Sequence, residues 1–326
     1  MTRQQLERHQ VWFYMLAILA GLAAGRWVPE AAPLLESSLW PALALLLYAT
    51  FTQVPLMRLR VAFRDRRFLT TMMAGNFVFM PLLVWALLAL APADPSIRLG
   101  ILLVLLVPCT DWFVAFAHLG GGDPARATAS TPLLLVAQIA LLPLYLWLFL
   151  GEAFSDVLAV ERIGAVFVGL IAMPLLAAIA TERWAERRPE RAPLVESLGI
   201  LPVPLLALVV FLVAGSQGEA IGNAMQTIDL VLGIFVLYLV AAVAVGTILG
   251  RTAGLAPAST RTLIFSLATR NSFVVLPFAL ALPAVWQAAA VVIVLQSLVE
   301  LFGMLACLWA VPRLVVGRDG LGIGRD

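Results

Sequence analysis

Ten stretches of this chain run for about twenty residues each with almost no charge, the length a helix needs to cross the hydrocarbon core of a bilayer. Of the 326 residues, 62% are apolar and 12% are charged, and mean hydropathy is +1.00. A soluble domain is nearer half apolar and a quarter charged. The composition therefore excludes a soluble enzyme, a disordered chain, a nucleic-acid binder and a disulfide scaffold. None of the stretches alternates as a membrane β-strand does. Within lipid every backbone polar group must be satisfied internally, which leaves helices. The expected fold class is an all-α membrane protein with ten transmembrane helices.

The stretches are 11–28, 38–57, 68–91, 97–118, 128–151, 163–180, 195–215, 228–249, 262–282 and 285–311. Short connections rich in Pro, Gly and charge separate them. The first lacks a small-residue cleavage site followed by a soluble domain, so it reads as a permanent span. All 21 basic residues are Arg, with no Lys. Seventeen fall in the two tails and in the loops after spans 2, 4, 6 and 8; Arg26, Arg98 and Arg162 fall on the other side. The positive-inside rule then puts both termini in the cytoplasm of a plasma (inner) membrane protein. Trp27, Trp40, Trp286 and Trp309 sit near span ends, as interface anchors do. The two cysteines, Cys109 and Cys307, make no disulfide framework.

The chain also repeats itself. Cys109-Thr110-Asp111-Trp112-Phe113-Val114 in span 4 matches Thr269-Arg270-Asn271-Ser272-Phe273-Val274 in span 9, and Gln138 in span 5 matches Gln296 in span 10 at nearly the same offset. Five spans per half is an odd number, so the second half is inverted relative to the first. The expected organisation is one five-helix repeat over 1–156 and its inverted partner over 157–326. Spans 4 and 9 are interrupted and cross, an arrangement that marks secondary transporters and puts the site near the midplane.

Ionisable residues at span centres are costly and point to function. Three stand out: Asp111, Arg270 and Glu300. Asp111 follows Pro108, which removes a backbone donor and loosens the helix. Arg270 lies at the equivalent level of span 9, so the two are expected to pair, either as a clasp or as a site for a charged substrate. Glu300 has Gln296 and Ser297 one turn earlier and is a candidate proton-loading site. Cys109, beside the span 4 break, offers a soft sulfur ligand. Cys307 reads as packing, His118 as an interface residue, and Asn76 and Gln53 as possible cavity lining. There is no Walker A loop, no His-Glu-x-x-His and no nucleophile elbow, so transport must be passive or driven by an ion gradient, and no cofactor is expected.

These residues resemble the bile acid/sodium symporter superfamily, and within it the arsenite-efflux permeases. The likeness rests on Cys109 followed by Gly120-Gly121-Gly122-Asp123, on Gln296-Ser297-Leu298-Val299-Glu300-Leu301 against a span 10 pattern ending in Glu, and on Ala268-Thr269-Arg270-Asn271 against an Asn-rich run in span 9. Arg270 stands where that run has an Asn, and the Trp-Asn-Asp stretch of span 4 is absent. The resemblance implies a transporter, not an enzyme, that exports arsenite or a related metalloid oxyanion in exchange for protons. Cys109 would hold the metalloid through sulfur and Glu300 would carry the proton. Thr110, Asp111, Thr269, Arg270, Asn271 and Ser272 would complete the substrate site, with Asp111 and Gln296 assisting in coupling. The alternative is a sodium-coupled symporter of an organic anion. In that case the same side-chain oxygens are hard ligands for sodium and Arg270 meets the anion. A non-transporting sensor is the third reading. It is disfavoured because no soluble domain exists to pass on a signal.

Overall fold

The computed structural model describes residues 3–54, 65–110, 112–150, 167–216 and 227–316. Asp111, Arg58, Arg60, Arg64, Arg162, Arg318 and Arg325 lie outside the described residues, as does the expected boundary between the halves at 156/157. Among the described residues the chain is helical and holds no strand. The helices are α1 (Arg3–Trp27), α2 (Ala32–Phe51), α3 (Arg66–Ala74), α4 (Met80–Leu88), α5 (Pro95–Leu105), α6 (Trp112–Leu119), α7 (Pro124–Leu150), α8 (Met173–Glu186), α9 (Ala192–Leu198), α10 (Pro202–Ser216), α11 (Ile228–Thr252), α12 (Pro257–Ala268), α13 (Ser272–Ala281) and α14 (Ala288–Leu314).

Seven helical stretches among the described residues are long and apolar enough to cross a membrane, and the protein is a multi-pass membrane protein. Three shorter apolar helices, Trp12–Trp27, Pro95–Leu105 and Ser272–Ala281, fall in the regions expected for spans 1, 4 and 9. The last two are short because the chain leaves the helix at Pro108 and again at Thr269. The region expected for span 3 is continuous but changes pitch, with a π-helical turn over Gly75–Phe79 joining α3 to α4.

Side-chain caps fix two of the starts. Asp65 accepts from the Phe68 N–H (3.1 Å) at α3, and Asp94 accepts from Ser96 N–H (2.8 Å) and Ile97 N–H (3.2 Å) at α5. Each satisfies donors that a helix N-terminus leaves open.

The helices pack in two groups. One contains α1, α2, α8 and α10; the other contains α3 to α7 and α11 to α14. Helix α13 also packs on α2, across the boundary between them. Close approach within each group depends on missing side chains. A Cβ on Gly21 would lie 2.3 Å from the Phe211 carbonyl oxygen, and one on Gly25 would lie 2.4 Å from that of Gly215, so α1 and α10 meet backbone to backbone. Gly246 and Gly250 leave room on α11 for the Ile264 and Thr260 side chains of α12. Lipid gives helices no hydrophobic reason to associate, and small residues four apart let dispersion do it instead. Between the groups runs an apolar cleft of about 180 Å³ lined by Ile18, Leu22, Ile97, Val210, Val213 and Val292, among others. The polar residues lie elsewhere, inside the second group.

Candidate transport site at the crossing of two broken helices

The breaks meet, and each completes the other's backbone. Pro108 cannot donate a hydrogen bond, and Thr269 is extended at φ −98°, ψ 141°. The two segments run antiparallel at Pro108 and Arg270. The Cys109 N–H donates to the Thr269 carbonyl (3.2 Å), and the Asn271 N–H donates to the Val107 carbonyl (2.8 Å). In hydrocarbon an unpaired peptide group costs several kcal/mol, so this pair of bonds is what permits both interruptions at one depth. Side chains extend the join. Asn271 Nδ2 donates to Thr110 Oγ1 (3.3 Å), while Asn271 Oδ1 caps α13 at the Val274 N–H (3.3 Å). Thr269 Oγ1 donates to the Phe265 carbonyl (2.8 Å).

Arg270 faces two ways. Its backbone N–H donates to Glu300 Oε2 (2.8 Å) from α14. The same oxygen accepts from Gln296 Nε2 (2.7 Å), and Gln296 Oε1 accepts from Ser272 Oγ (2.8 Å). The Glu300 carboxyl thus lies at the start of α13, where the helix dipole favours negative charge.

The guanidinium points away from Glu300. Nη2 donates to the Leu267 carbonyl (2.5 Å), to the Ser266 carbonyl (3.4 Å) and to Asn76 Oδ1 (3.1 Å), and Nη1 donates to the Leu105 carbonyl (3.4 Å). It also lies 5.4 Å from the centre of the Tyr238 ring. Leu105 ends α5, and Ser266 and Leu267 lie in the last turn of α12, so the cation sits on the negative ends of two helices. Among the described residues the Arg270 guanidinium has no hydrogen bond to a carboxylate. Asp111, the partner expected from sequence, lies outside them.

Cys109, Thr110, Thr269, Arg270, Asn271, Ser272, Gln296 and Glu300 are all at most 4% exposed. The structure brings these eight expected site residues into one buried cluster. Gln138, the repeat counterpart of Gln296, is 2% exposed, and neither of its polar side-chain atoms has a hydrogen-bond partner among the described residues. Cys307 is buried in the core, as its expected packing role requires, and His118 is exposed near the end of α6.

Sequence reading gives no role to Tyr238 or Ser266, and it names Asn76 only as possible cavity lining. Asn76 sits on the π-helical turn, with Nδ2 donating to Ser266 Oγ (3.0 Å) and to the Met72 carbonyl (3.2 Å). Such turns re-aim side chains and recur at functional sites. Tyr238 donates its hydroxyl to the Leu267 carbonyl (3.0 Å), and Ser266 supplies both a hydroxyl and a carbonyl. The available signal was a lone amide and a lone tyrosine within apolar runs.

A model of the sodium bile acid symporter family matches residues 40–224, more than half of the chain. The chain belongs to the sodium bile acid symporter family. Family members are transporters, not enzymes. No curated protein matches the chain. The span of the family match holds Asn76 and the break at Pro108; the partner break at Thr269–Asn271 and Glu300 lie beyond it.

A second polar cluster lies where α3 and α7 begin. Arg126 Nε binds Asp65 Oδ2 (2.8 Å), and Nη1 binds Asp123 Oδ2. The glycine loop before α7 turns through Gly121 at φ 69° and is held to α12 by Asp123 N–H to Thr262 Oγ1 (2.7 Å) and Arg261 Nη1 to the Gly121 carbonyl (2.9 Å). The Phe68 N–H, and after it Arg126, hold the Asp65 carboxyl below the usual aspartate range. Its contribution to stability is therefore full above that range and is lost as pH falls through the lowered value. Asn also caps helices, so Asp65→Asn isolates the charge. Both side chains are over a third exposed, and we expect the substitution to cost less than about 1 kcal/mol at neutral pH. Melting of the detergent-solubilised protein should show the difference from wild type closing as pH falls below the ordinary aspartate range; a gap unchanged by acid would contradict the assignment.

Proposed function

We propose that the protein is a secondary active transporter that exports arsenite, or a related metalloid oxyanion, in exchange for protons. The observation that supports this most is the hydrogen bond from the Arg270 N–H to Glu300 Oε2 at the crossing. It ties an ionisable carboxyl to the backbone of a helix break, so a change in its charge acts directly on the element that would have to rearrange. Oε2 accepts two donors, from the Arg270 N–H and from Gln296 Nε2. Cys109 is one backbone hydrogen bond away from Thr269, which puts a sulfur-bearing residue beside the residue wired to Glu300. In this reading Cys109 takes the metalloid through sulfur. Thr110, Thr269, Asn271 and Ser272 surround it with hydroxyl and amide groups, Asp111 and Arg270 complete the site, and Gln296 relays between Ser272 and Glu300.

The proposed architecture is ten spans in two inverted repeats, 1–156 and 157–326, with spans 4 and 9 broken and crossing. Both termini face the cytoplasm of a plasma (inner) membrane. The second reading is a sodium-coupled symporter of an organic anion, which is compatible with the family's description.

Expression in cells that lack their own arsenite pump should raise arsenite tolerance, and Cys109→Ser should remove the gain. Unchanged tolerance in the Ser variant would refute the sulfur ligand. Uptake of a labelled organic anion that requires external sodium, without any arsenite tolerance, would establish the second reading instead.

A further inference from the structure

The Arg270 guanidinium occupies a place built for a cation. Four oxygens converge on it: the carbonyls of Leu105, Ser266 and Leu267, and Asn76 Oδ1. They come from the C-terminal ends of two broken helices and from a π-helical turn. Unwound carbonyls and half-helix C-terminal ends are the groups with which secondary transporters hold coupling cations, and hard cations such as sodium take oxygen ligands of this kind. Here the oxygens are already engaged by a side chain that keeps its positive charge at every accessible pH. Arg270 is 3% exposed; Nη2 makes three of these contacts and Nη1 the fourth, while Nε has no partner among the described residues.

We infer that Arg270 is a tethered cation that replaces a diffusible metal ion at the helix crossing, so that this cradle binds no sodium in the native protein and binds one when the side chain is removed. The charge balance at the crossing is then fixed on its positive side, and among the described residues the charge there left to change is on the Glu300 carboxyl. This goes beyond the proposed function and stands whether the substrate is a metalloid or an organic anion. Arsenite tolerance plays no part in testing it.

The test is thermal unfolding of the purified full chain in detergent, with sodium chloride compared against choline chloride at equal ionic strength. The wild type should melt within about 1 °C in the two salts, whereas Arg270→Ala should melt lower in choline and recover several degrees in sodium, since a ligand that binds only the folded state raises its melting point. Methylguanidinium chloride at millimolar concentration should rescue the same variant. A sodium shift of equal size in both chains would overturn the inference, and so would a folded variant that responds to neither cation. If Arg270→Ala does not survive purification, Arg270→Lys carries the test. A lysine keeps a tethered charge on the cradle, so that variant should purify and stay indifferent to sodium. A Lys variant as damaged as the Ala variant would overturn the inference too.

Discussion

Glu300→Gln is expected to cut proton-driven net flux at least about a hundredfold, the scale on which losing a group that moves a proton is felt, while leaving the protein folded. A glutamine amide oxygen can still accept from the Arg270 N–H and from Gln296 Nε2, which now approach Oε2 at 2.8 Å and 2.7 Å. These two bonds therefore survive, while the exchangeable proton is lost. The variant resembles a permanently loaded carboxylic acid. It should still swap labelled for unlabelled substrate across a vesicle membrane, because that half of the cycle needs no proton release. Net flux driven by an imposed pH gradient should disappear. Equal loss of exchange and net flux would mean that Glu300 only holds the crossing together, and retained net flux would remove it from coupling altogether.

Gly25→Leu is expected to destroy the seam between α1 and α10. Even a methyl group at this position would lie 2.4 Å from the Gly215 carbonyl oxygen, and that obstacle is backbone, which cannot rotate away as a side chain can. Overpacking in a soluble core costs about 1–3 kcal/mol; here the helices must separate along their length, and the loss should lie at or above the upper end. Gly21→Leu meets the Phe211 carbonyl in the same way, and the pair together should abolish monodisperse protein in detergent. Gly233 of α11 is the control, with nothing within 4 Å of a Cβ there. Gly233→Ala should leave the melting point unchanged or raise it slightly, because Ala is the better helix former. Equal tolerance of all three changes on gel filtration and thermal melting would mean that the seam is not what joins these helices.

The breaks were legible in the sequence because they are written in residue types. Pro108 removes a donor, and Thr269, Arg270, Asn271 and Ser272 place four polar residues in a row inside an apolar span. Glu300 was legible because a lone acid in a hydrophobic helix has few structural explanations. The surroundings of Arg270 were not. A search of side chains for an anion led to Asp111, whereas the described acceptors are mostly main-chain carbonyls, which every residue possesses and no residue type announces. Asn76 was visible as a polar residue but not as a ligand, because its aim depends on a change of helical pitch that its neighbours do not signal. The glycine seams were missed for a related reason. Gly21 and Gly25, like Gly246 and Gly250, have the spacing of close packing, but the partner helix is set by tertiary contact alone.

The antiparallel contact between Pro108 and Arg270 also limits how this protein can move. Each break supplies the acceptor for the other's amide, so pulling them apart would strand the N–H groups of Cys109 and Asn271 in an environment without water. Sliding one past the other by a single residue would mismatch donors and acceptors in the same way. The two breaks must therefore travel as one piece, like the pinned centre of a pair of scissors. In a transporter built this way, access to opposite faces of the membrane would come from tilting that piece against the group of α1, α2, α8 and α10, with the apolar cleft lying along their boundary. Apolar side chains like those lining the cleft meet without directional bonds, so the cleft is a surface along which the two groups can roll.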